Sequence, residues 1–386
     1  MLPVAAGAQS GAGAPSPGTE PAAPIGDSPF DRQGMWIWYV SRSEGGALGK
    51  IIVRARRSGV GTVYIKAGDA DDPWRQFNRY TIGRLKRGGL DVCAWTFVYG
   101  NQPVDEAKVA AAAVAKGADC YVIDAEGHYE GRYAAADRFV RALRGRIGGS
   151  FPVSLATFPY VDFHPSFPYS VFLGPGGAQY NQPQMYWKAI GTSVRSVYEH
   201  TYLFNRVFER PIYPIGQTYD QPGLKPIRRF RRFGINYGGL PPSWWSWQET
   251  NDREWSALGS RTAGAVAGYR PVTAHPLLRR GSRGDLVVWA QQHLVGAGAD
   301  RLPVTGIFGR LTQGAVRAFQ QDHGLRADGV IGTRTWRRLL RFKPVRVRWS
   351  RPNRAGGRQA RVVSPAAPLS ARLPARAYEI DPGPRP

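Results

Sequence analysis

Between residues 35 and 247, eight short runs of apolar and aromatic residues recur, and patterns typical of helices separate several of them. Strands that alternate with helices build a parallel sheet whose faces the helices cover. Eight strand–helix units are the content of a closed β/α barrel. The sequence therefore predicts an α/β fold with an eight-stranded β/α (TIM-like) barrel, whose strands cover residues 35–40, 61–67, 90–98, 119–126, 151–158, 183–189, 211–216 and 242–247.

Changes in composition along the chain predict five segments. The start is dominated by Ala, Gly, Pro and Ser, which bury too little apolar surface to offset the entropy of ordering. The end is basic and rich in Pro and Ala, a composition typical of solvated, disordered segments. The predicted segments are a disordered lead-in at 1–30, the barrel at 31–260, a linker at 261–275, a small helical domain at 276–340 and a basic disordered tail at 341–386.

The small domain contains a short internal repeat. Residues 306–312 read GIFGRLT and residues 329–335 read GVIGTRT, which is an offset of 23 residues (329 − 306). Each copy has glycines where a tight turn needs positive φ and a Thr that can cap the next helix. Asp285 is a similar cap candidate, because it precedes the apolar face of an earlier helix. We therefore predict a small all-α unit of three helices.

This segment is similar over its full length to the peptidoglycan-binding domain type 1 family. It departs from the family pattern at Ala290, where Leu is usual, and at Thr305, where an Asp often precedes the glycine. The resemblance implies a peptidoglycan-binding domain, and most of the matching residues are structural. They lie in GSRGDLVVWAQQHL, TGIFGRLTQGAVRAFQQDHGL and ADGVIGTRTWRRLL, and include Gln291, Ala315-Val316, Phe319-Gln320, Asp328-Gly329 and Thr335-Trp336.

Two acidic residues end the fourth predicted strand, which reads YVIDAE at 121–126. Asp124 and Glu126 are two positions apart, so both side chains face the same way, toward the mouth where barrel active sites are built. Glycoside hydrolysis needs a protonated carboxyl as general acid and a second group that stabilises positive charge. We predict Glu126 as the general acid and Asp124 as its electrostatic partner. The alternative is a structural, charge-lined barrel end.

Residues 34–250 resemble glycoside hydrolase family 25, the barrel lysozymes that cleave the glycan of peptidoglycan. The resemblance rests on the YVIDAE strand, Lys66, the CAWTF strand at 93–97 and the pair Trp247-Gln248. That family opens its first strand with an Asp, where this chain reads GMWIW at 34–38. A further Asp expected near the mouth has three candidates, Asp69, Asp162 and Asp220. The chitinase-like family also ends a strand in Asp-x-Glu. The positions that precede this motif are acidic in that family, whereas here they are Cys120 and Val122, which argues against a chitinase-like barrel.

Further residues near predicted strand ends can stack on a sugar ring or hydrogen-bond to it, although core packing explains them nearly as well. His128 and His164 follow two strands without a third metal ligand, so we predict no metal and no cofactor. The predicted substrate-binding residues are Lys66, Tyr99, Tyr186, Gln217, Asp220, Trp247 and Gln248.

The net charge of +24 implies attraction to polyanions, which include nucleic acid, anionic wall polymers and membrane surfaces. The sequence has no nucleic-acid recognition motif and no run of about 18 apolar residues that could span a membrane. We therefore expect peptidoglycan or another anionic wall polymer as partner, no specific nucleic acid, no transmembrane segment and a monomer. A cluster of four arginines predicts a solvated helix face or, alternatively, a contact with such a polymer. These arginines are Arg228, Arg229, Arg231 and Arg232.

The location and the cysteines yield two further expectations. The AGA near the start resembles a signal-cleavage site, which predicts an extracellular or cell-wall location. Cys93 and Cys120 lack zinc-ligand spacing; a bridge can form between them if they lie on neighbouring strands, but we expect two separate buried thiols. Together these patterns predict a wall-binding protein with a muramidase-like glycan hydrolase barrel. The alternative is a non-catalytic wall-binding protein with a degenerate barrel.

Overall fold

Eight parallel strands form the centre of the molecule, and a ninth, short strand pairs antiparallel with β2. A computed structural model describes residues 28–349 of the chain. The strands are β1 (Gly34–Ile37), β2 (Thr62–Asp69), the short β3 (Asp72–Pro73), β4 (Asp91–Val98), β5 (Cys120–Ala125), β6 (Val153–Thr157), β7 (Tyr180–Pro183), β8 (Ile215–Gln217) and β9 (Ser243–Trp245).

The strand order is β7-β6-β5-β4-β2-β1-β9-β8, with every neighbouring pair parallel. Two isolated parallel bridges, Asn181 with Ile212 and Gln184 with Ile215, join the ends of the order. The sheet is therefore a nearly closed barrel. This confirms the predicted eight-stranded β/α architecture.

Helices connect the strands and cover the outside of the barrel. Asn78 caps one of them, because its side chain accepts a hydrogen bond from the Thr81 N–H at 2.9 Å. Asn251 and Glu254 form a reciprocal capping box on another. The barrel helices are α1 (Leu48–Arg57), α2 (Arg79–Arg87), α3 (Pro103–Ala115), α4 (Tyr133–Ile147), α5 (Tyr169–Phe172), α6 (Val194–Asn205), α7 (Leu224–Asn236) and α8 (Asp252–Gly259).

An aromatic core fills the inside of the barrel, and a second core lies between the barrel and its helices. Trp36, Tyr64 and Trp95 are each about fully buried within the barrel. Phe30 closes the end where the strands begin, with its ring 4.8 Å from that of Tyr180. The last residues of the predicted lead-in, 28–30, are therefore packed on the barrel, while 1–27 lie outside the described residues.

The two cysteines form a disulfide, so the prediction of two separate thiols is wrong. Cys93 on β4 and Cys120 on β5 are register partners, with Cα atoms 4.6 Å apart. Both side chains point into the barrel, where they are fully buried. A separation of this size suits a disulfide. The register of two neighbouring parallel strands decides the bridge, and sequence spacing does not reveal that register.

Two predicted strands are displaced from the observed ones. The run predicted at 183–189 is largely turn and irregular chain, and β7 lies before it at Tyr180–Pro183. The run predicted at 211–216 contributes only its end to β8, because Pro211 and Pro214 lack the N–H that a central strand requires. Both runs are nevertheless mostly buried, which is why their composition resembles that of strands.

The small domain contains the three predicted helices, α9 (Asp285–Gly296), α10 (Arg310–Asp322) and α11 (Thr333–Leu339). The two repeat copies turn at Gly306 and Gly329, with φ of 71° and 73°. A buried glutamine holds each turn. The side chain of Gln291 accepts the Gly306 N–H, and that of Gln320 accepts the Gly329 N–H, both at 2.9 Å.

Asp285 does not cap α9, because Gly284 is the N-cap and Asp285 is the first helical residue. Its carboxylate instead accepts hydrogen bonds from the Ser170 N–H at 2.8 Å and the Ser170 hydroxyl at 2.6 Å, on the barrel's α5. Trp289 of α9 donates its indole N–H to the Val207 carbonyl at 2.7 Å. The small domain is thus joined to the barrel by buried contacts.

The segments predicted as linker and tail both contact the folded domains where they are described. In the predicted linker, Tyr269 meets Tyr237 through their hydroxyls at 2.6 Å. Beyond residue 340, the Val345 N–H donates to the Gln292 carbonyl, and the Trp349 ring lies 4.6 Å from Tyr133. Residues 341–349 are therefore packed rather than a free tail, and 350–386 lie outside the described residues.

Candidate active site

Asp124 and Glu126 meet at one side of the barrel mouth. Asp124 is the last inward-facing residue of β5, and Glu126 follows the last residue of that strand. Each is only 5% exposed. The side-chain amide of Gln184 donates to Asp124 Oδ1 at 3.3 Å and to Glu126 Oε1 at 2.9 Å. The two carboxyls therefore project to the same side, as the alternation along a strand predicts.

A buried lysine faces this acid pair from β2. Lys66 is 2% exposed, and its Nζ lies 2.5 Å from Asp69 Oδ2. Three indole rings surround the ammonium group, Trp74 at 4.6 Å, Trp38 at 4.8 Å and Trp95 at 5.0 Å from their centroids. Cation–π attraction and the ion pair together compensate for the lost hydration of the charge. Burial nevertheless lowers the pKa of Lys66, and Asp69 opposes that shift.

The environment favours the protonated form of Asp124. Burial raises the pKa of Asp124 well above its ordinary value, and the neighbouring negative charge of Glu126 raises it further. Lys66 acts in the opposite direction and lowers this pKa. The pair can therefore retain a proton at a pH where isolated carboxyls are ionised. A general acid for glycoside cleavage needs a proton held in this way.

Aromatic rings line the rim around the acids. Tyr39 and Trp74 are stacked with centroids 5.3 Å apart on the side of β1 and β2. Tyr99 packs against Phe97 at 4.8 Å and against His128 at 4.7 Å on the side of β4 and β5. Most of these side chains are half-buried, so part of each ring faces solvent. Exposed aromatic faces of this kind can stack on sugar rings.

Some of the predicted substrate-binding residues are engaged in holding loops. Gln217 is fully buried, and its side-chain oxygen accepts the backbone N–H groups of Lys188 and Ala189. Gln248 donates to the Tyr39 carbonyl at 2.9 Å and accepts the Trp38 N–H at 3.4 Å. Both glutamines fix loops at the mouth. Lys66, Tyr99 and Tyr186 line the mouth itself.

The structure puts Trp247 outside the mouth. Trp247 packs against Trp255 at 4.7 Å in the core between barrel and helices. The strand ends at Trp245, and a 3-10 turn at Trp247–Glu249 breaks the alternation that would have kept residue 247 inward. Trp245 occupies the inward position, with its centroid 5.7 Å from that of Trp38. Trp245 thus takes the inward position that the sequence assigned to Trp247.

Asp220 also lies apart from the acid pair. Its side chain is 64% exposed and pairs with Lys188 at 3.2 Å. Of the other candidates for a further Asp at the mouth, Asp162 pairs with His200 at 2.6 Å. Only Asp69 joins the group around Lys66.

Two residues that hold the candidate site together escaped the sequence analysis. Gln184 holds both acids, and its only signal was its position two residues before Tyr186 in a buried run. Gln76 donates to the Trp38 carbonyl at 2.6 Å and the Lys66 carbonyl at 2.9 Å, so it fixes the lysine cage. It lies in a loop between β3 and α2, where no periodic pattern points to it. Within residues 28–349, no group of three His, Cys, Asp or Glu side chains is arranged to hold a metal ion.

The family comparison concerns the small domain. Residues 283–339 match the family described as "Putative peptidoglycan binding domain". This stretch is a domain of that family, in agreement with the resemblance seen in the sequence. In residues 28–349 no helix has both the length and the apolar character that a bilayer crossing requires.

Individual relatives cover parts of the chain. An "Uncharacterized protein in bpoA1 3'region" from Kitasatospora aureofaciens is 40% identical over 68 residues, which are 17% of this chain and 58% of that protein. The chain thus spans little more than half the length of this curated relative.

Solved structures with partial similarity include three glycoside hydrolases. An endo-β-1,4-mannanase from Thermotoga petrophila has a TM-score of 0.44 and 10% identity, covering 57% of this chain and 69% of its own. A chitinase from Chromobacterium violaceum has a TM-score of 0.43 and 12% identity, covering 59% and 98%. A family 25 glycosyl hydrolase from Bacillus anthracis has a TM-score of 0.28 and 14% identity, covering 40% and 70%. The barrel assignment rests on the strand pairing described above.

Proposed function

We propose that this protein is an exported cell-wall protein that binds peptidoglycan through its small domain and hydrolyses glycan at the barrel mouth. Glu126 acts as the general acid, and Asp124 is its electrostatic partner. The observation that carries the proposal is the single Gln184 amide that hydrogen-bonds both carboxyls. Because one amide nitrogen bonds both, the two carboxyls are held together on the same side of the mouth.

The proposed chemistry divides two roles between the acids. The pair holds one proton in the resting state, because burial and mutual repulsion oppose double ionisation. Glu126 lies beyond the strand end, nearer the opening; the shared proton passes from Asp124 to Glu126, which delivers it to the leaving glycosidic oxygen. Asp124, deeper in the barrel, is then ionised and stabilises the developing positive charge on the sugar ring. A water molecule adds to the anomeric carbon and gives its proton to the Glu126 carboxylate, which restores the pair. Lys66 and Asp69 keep the local charge balanced.

The wall location is supported by two separate features. Residues 283–339 belong to a peptidoglycan-binding family, and tethering to the wall raises the local concentration of glycan at the mouth. The buried Cys93–Cys120 disulfide is typical of proteins that mature in oxidising compartments outside the cytosol. We propose peptidoglycan or another anionic wall polymer as partner, a monomer, no cofactor and no specific nucleic acid.

The test uses purified peptidoglycan sacculi with wild-type protein and the isosteric Glu126→Gln variant. We expect both proteins to co-sediment with sacculi, because the small domain is unchanged. Only the wild type should reduce the turbidity of the suspension, since loss of a general acid costs roughly 10²–10⁴-fold in rate. Binding without clearing by the wild type would instead favour a non-catalytic wall-binding protein. The absence of an Asp from β1, which reads GMWI where family 25 has an Asp, is the feature that favours this second candidate.

A further inference from the structure

All charged residues of helices α1 and α2 are cationic, as they are on α7. Together α1 and α2 contain eight cationic residues and no acidic residue. The two helices are packed side by side on the barrel wall. Their cations are Lys50, Arg54, Arg56 and Arg57 on α1, and Arg79, Arg84, Lys86 and Arg87 on α2.

Most of this positive charge is unneutralised. Arg54 pairs with Glu44 and Asp252, and Lys86 pairs with Asp119. The other six side chains belong to exposed residues, and none has a carboxylate partner within ion-pair distance among residues 28–349. They are Lys50, Arg56, Arg57, Arg79, Arg84 and Arg87. We call these six residues the basic face.

The basic face is bounded by helices without a surplus of exposed cations. On one side, the sheet order places α3 next to α2; Glu106 of α3 is buried, and Asp105 pairs with Lys108. On the other side lies α8, where Glu254 is buried and the exposed charges are one acid, Asp252, and one cation, Arg253. The basic face is therefore a stripe, two helices wide, between helices whose exposed charges balance.

The stripe reaches the active-site rim. In a β/α barrel each helix follows the carboxyl end of its strand, so α1 and α2 begin on the side of the mouth. At that rim the Arg42 guanidinium lies 4.5 Å above the ring of Tyr39. Beside α1, a surface cleft of about 780 Å³ is lined by Lys50 and Arg57, and its two acids, Glu44 and Asp252, both pair with Arg54. Positive charge thus extends from the rim along the outer wall of the barrel.

We propose that the basic face binds a linear polyanion of the cell envelope whose repeating charge is phosphate. Five of its six cations are arginines, whose planar guanidinium groups bind phosphate through paired hydrogen bonds. An extended stripe suits a linear chain of charges better than a single ion. The choice of an envelope polymer rests on the proposed wall location of the protein. The polymer would hold the barrel on the wall at a second point, beside the mouth.

The experiment compares two triple variants of the full chain that remove the same charge from different places. Arg56→Gln/Arg84→Gln/Arg87→Gln alters the basic face, and Lys225→Gln/Arg228→Gln/Arg229→Gln alters the exposed side of α7. Either triple lowers the net charge from +24 by three. Affinity for a synthetic poly(glycerol phosphate) chain is measured against salt concentration. Each cation that contacts phosphate contributes about 0.7 to the slope of log affinity on log salt for a flexible chain.

We expect the basic-face triple to lower the magnitude of this slope by about 2, while the α7 triple leaves it close to that of the wild type. Equal slopes for the two triples would overturn the proposal, because the attraction would then come from overall charge. Tighter binding to single-stranded DNA of equal charge, or to vesicles rich in phosphatidylglycerol, would also overturn it. Co-sedimentation with sacculi freed of phosphate polymers tests the small domain separately, and both triples should retain it.

Discussion

At the level of single residues, the mouth combines four ionisable groups that are mostly buried. Asp69 and Asp124 lie near one cation, Lys66, and Glu126 lies next to Asp124. Such a group is stable only if charges are paired or one carboxyl keeps its proton. Gln184 and Gln76 add fixed hydrogen bonds to the acids and to the lysine's backbone. The arrangement therefore sets which protonation states are available to the proposed reaction.

Replacement of Lys66 tests this coupling. Lys66 lowers the pKa of Asp124, so its loss in Lys66→Met should raise that pKa further. The alkaline limb of the pH–rate profile should then move to higher pH, and the fold should lose stability because Asp69 is left without its cation. The measurement is hydrolysis of sacculi across pH. Lys86→Met is the matched control, because Lys86 is partly exposed and pairs with Asp119 outside the mouth. An active Lys66→Met protein with the wild-type profile would contradict the coupling.

The site residues differ in how far sequence reveals them. Asp124 and Glu126 follow a continuous apolar run, so their common direction follows from strand geometry. Trp247 lies two positions after Trp245, which is the spacing that separates Glu126 from Asp124. A turn follows the strand immediately, however, and directs the ring of Trp247 outward. Gln184 reaches the acids from a different strand, which only the closed barrel brings near. Local alternation is readable in sequence, whereas contacts across the barrel are not.

At the level of elements, strong patterns predicted the fold and weak ones misplaced its boundaries. The long apolar runs of β2, β4 and β5 were found almost to the residue, because buried parallel strands are continuously apolar. β7 and β8 are short, and prolines interrupt the runs around them. Their neighbouring residues are buried by packing without strand pairing. The disulfide was missed for a related reason, because it depends on the register of β4 against β5.

The first residue of α9 provides a test of how two elements are joined. Burial of Asp285 against α5 raises its pKa to about 7, from 3.8. Between roughly pH 4 and 7 the folded state therefore binds a proton that the unfolded state has lost. Stability should fall as pH rises through this window, by at most about 1.4 kcal/mol per pH unit from this group.

The Asp285→Asn variant keeps the shape of the side chain and stays neutral. We expect its free energy of unfolding in urea to lose this fall between pH 4 and 7. The matched control is Asp300→Asn, at an exposed position after the same helix, which should behave as the wild type. A variant that keeps the full wild-type decline would show that Asp285 is not the titrating group. Such a result would leave the contacts with Ser170 without a role in the pH dependence.

At the level of the whole molecule, a wall-binding domain is packed against a barrel with a charged mouth. Buried hydrogen bonds and ring contacts join the two units. They are made by Asp285, Trp289 and residues 343–349. In the function proposed above, a domain held in this way presents the barrel to the wall in a restricted set of orientations, and tethering favours glycan strands that reach the mouth. Sequence identified the two units but not the contacts between them, because residues far apart in the chain make those contacts.

The most direct test of the proposed reaction is the chemistry of its products. Sacculi are incubated with the wild type or with Glu126→Gln, reduced with borohydride and analysed by mass spectrometry. Cleavage of the glycan should yield fragments with new reduced hexosamine ends from the wild type, and roughly 10²-fold fewer from Glu126→Gln. No new reduced ends from the wild type, or equal amounts from both proteins, would contradict hydrolysis by Asp124 and Glu126.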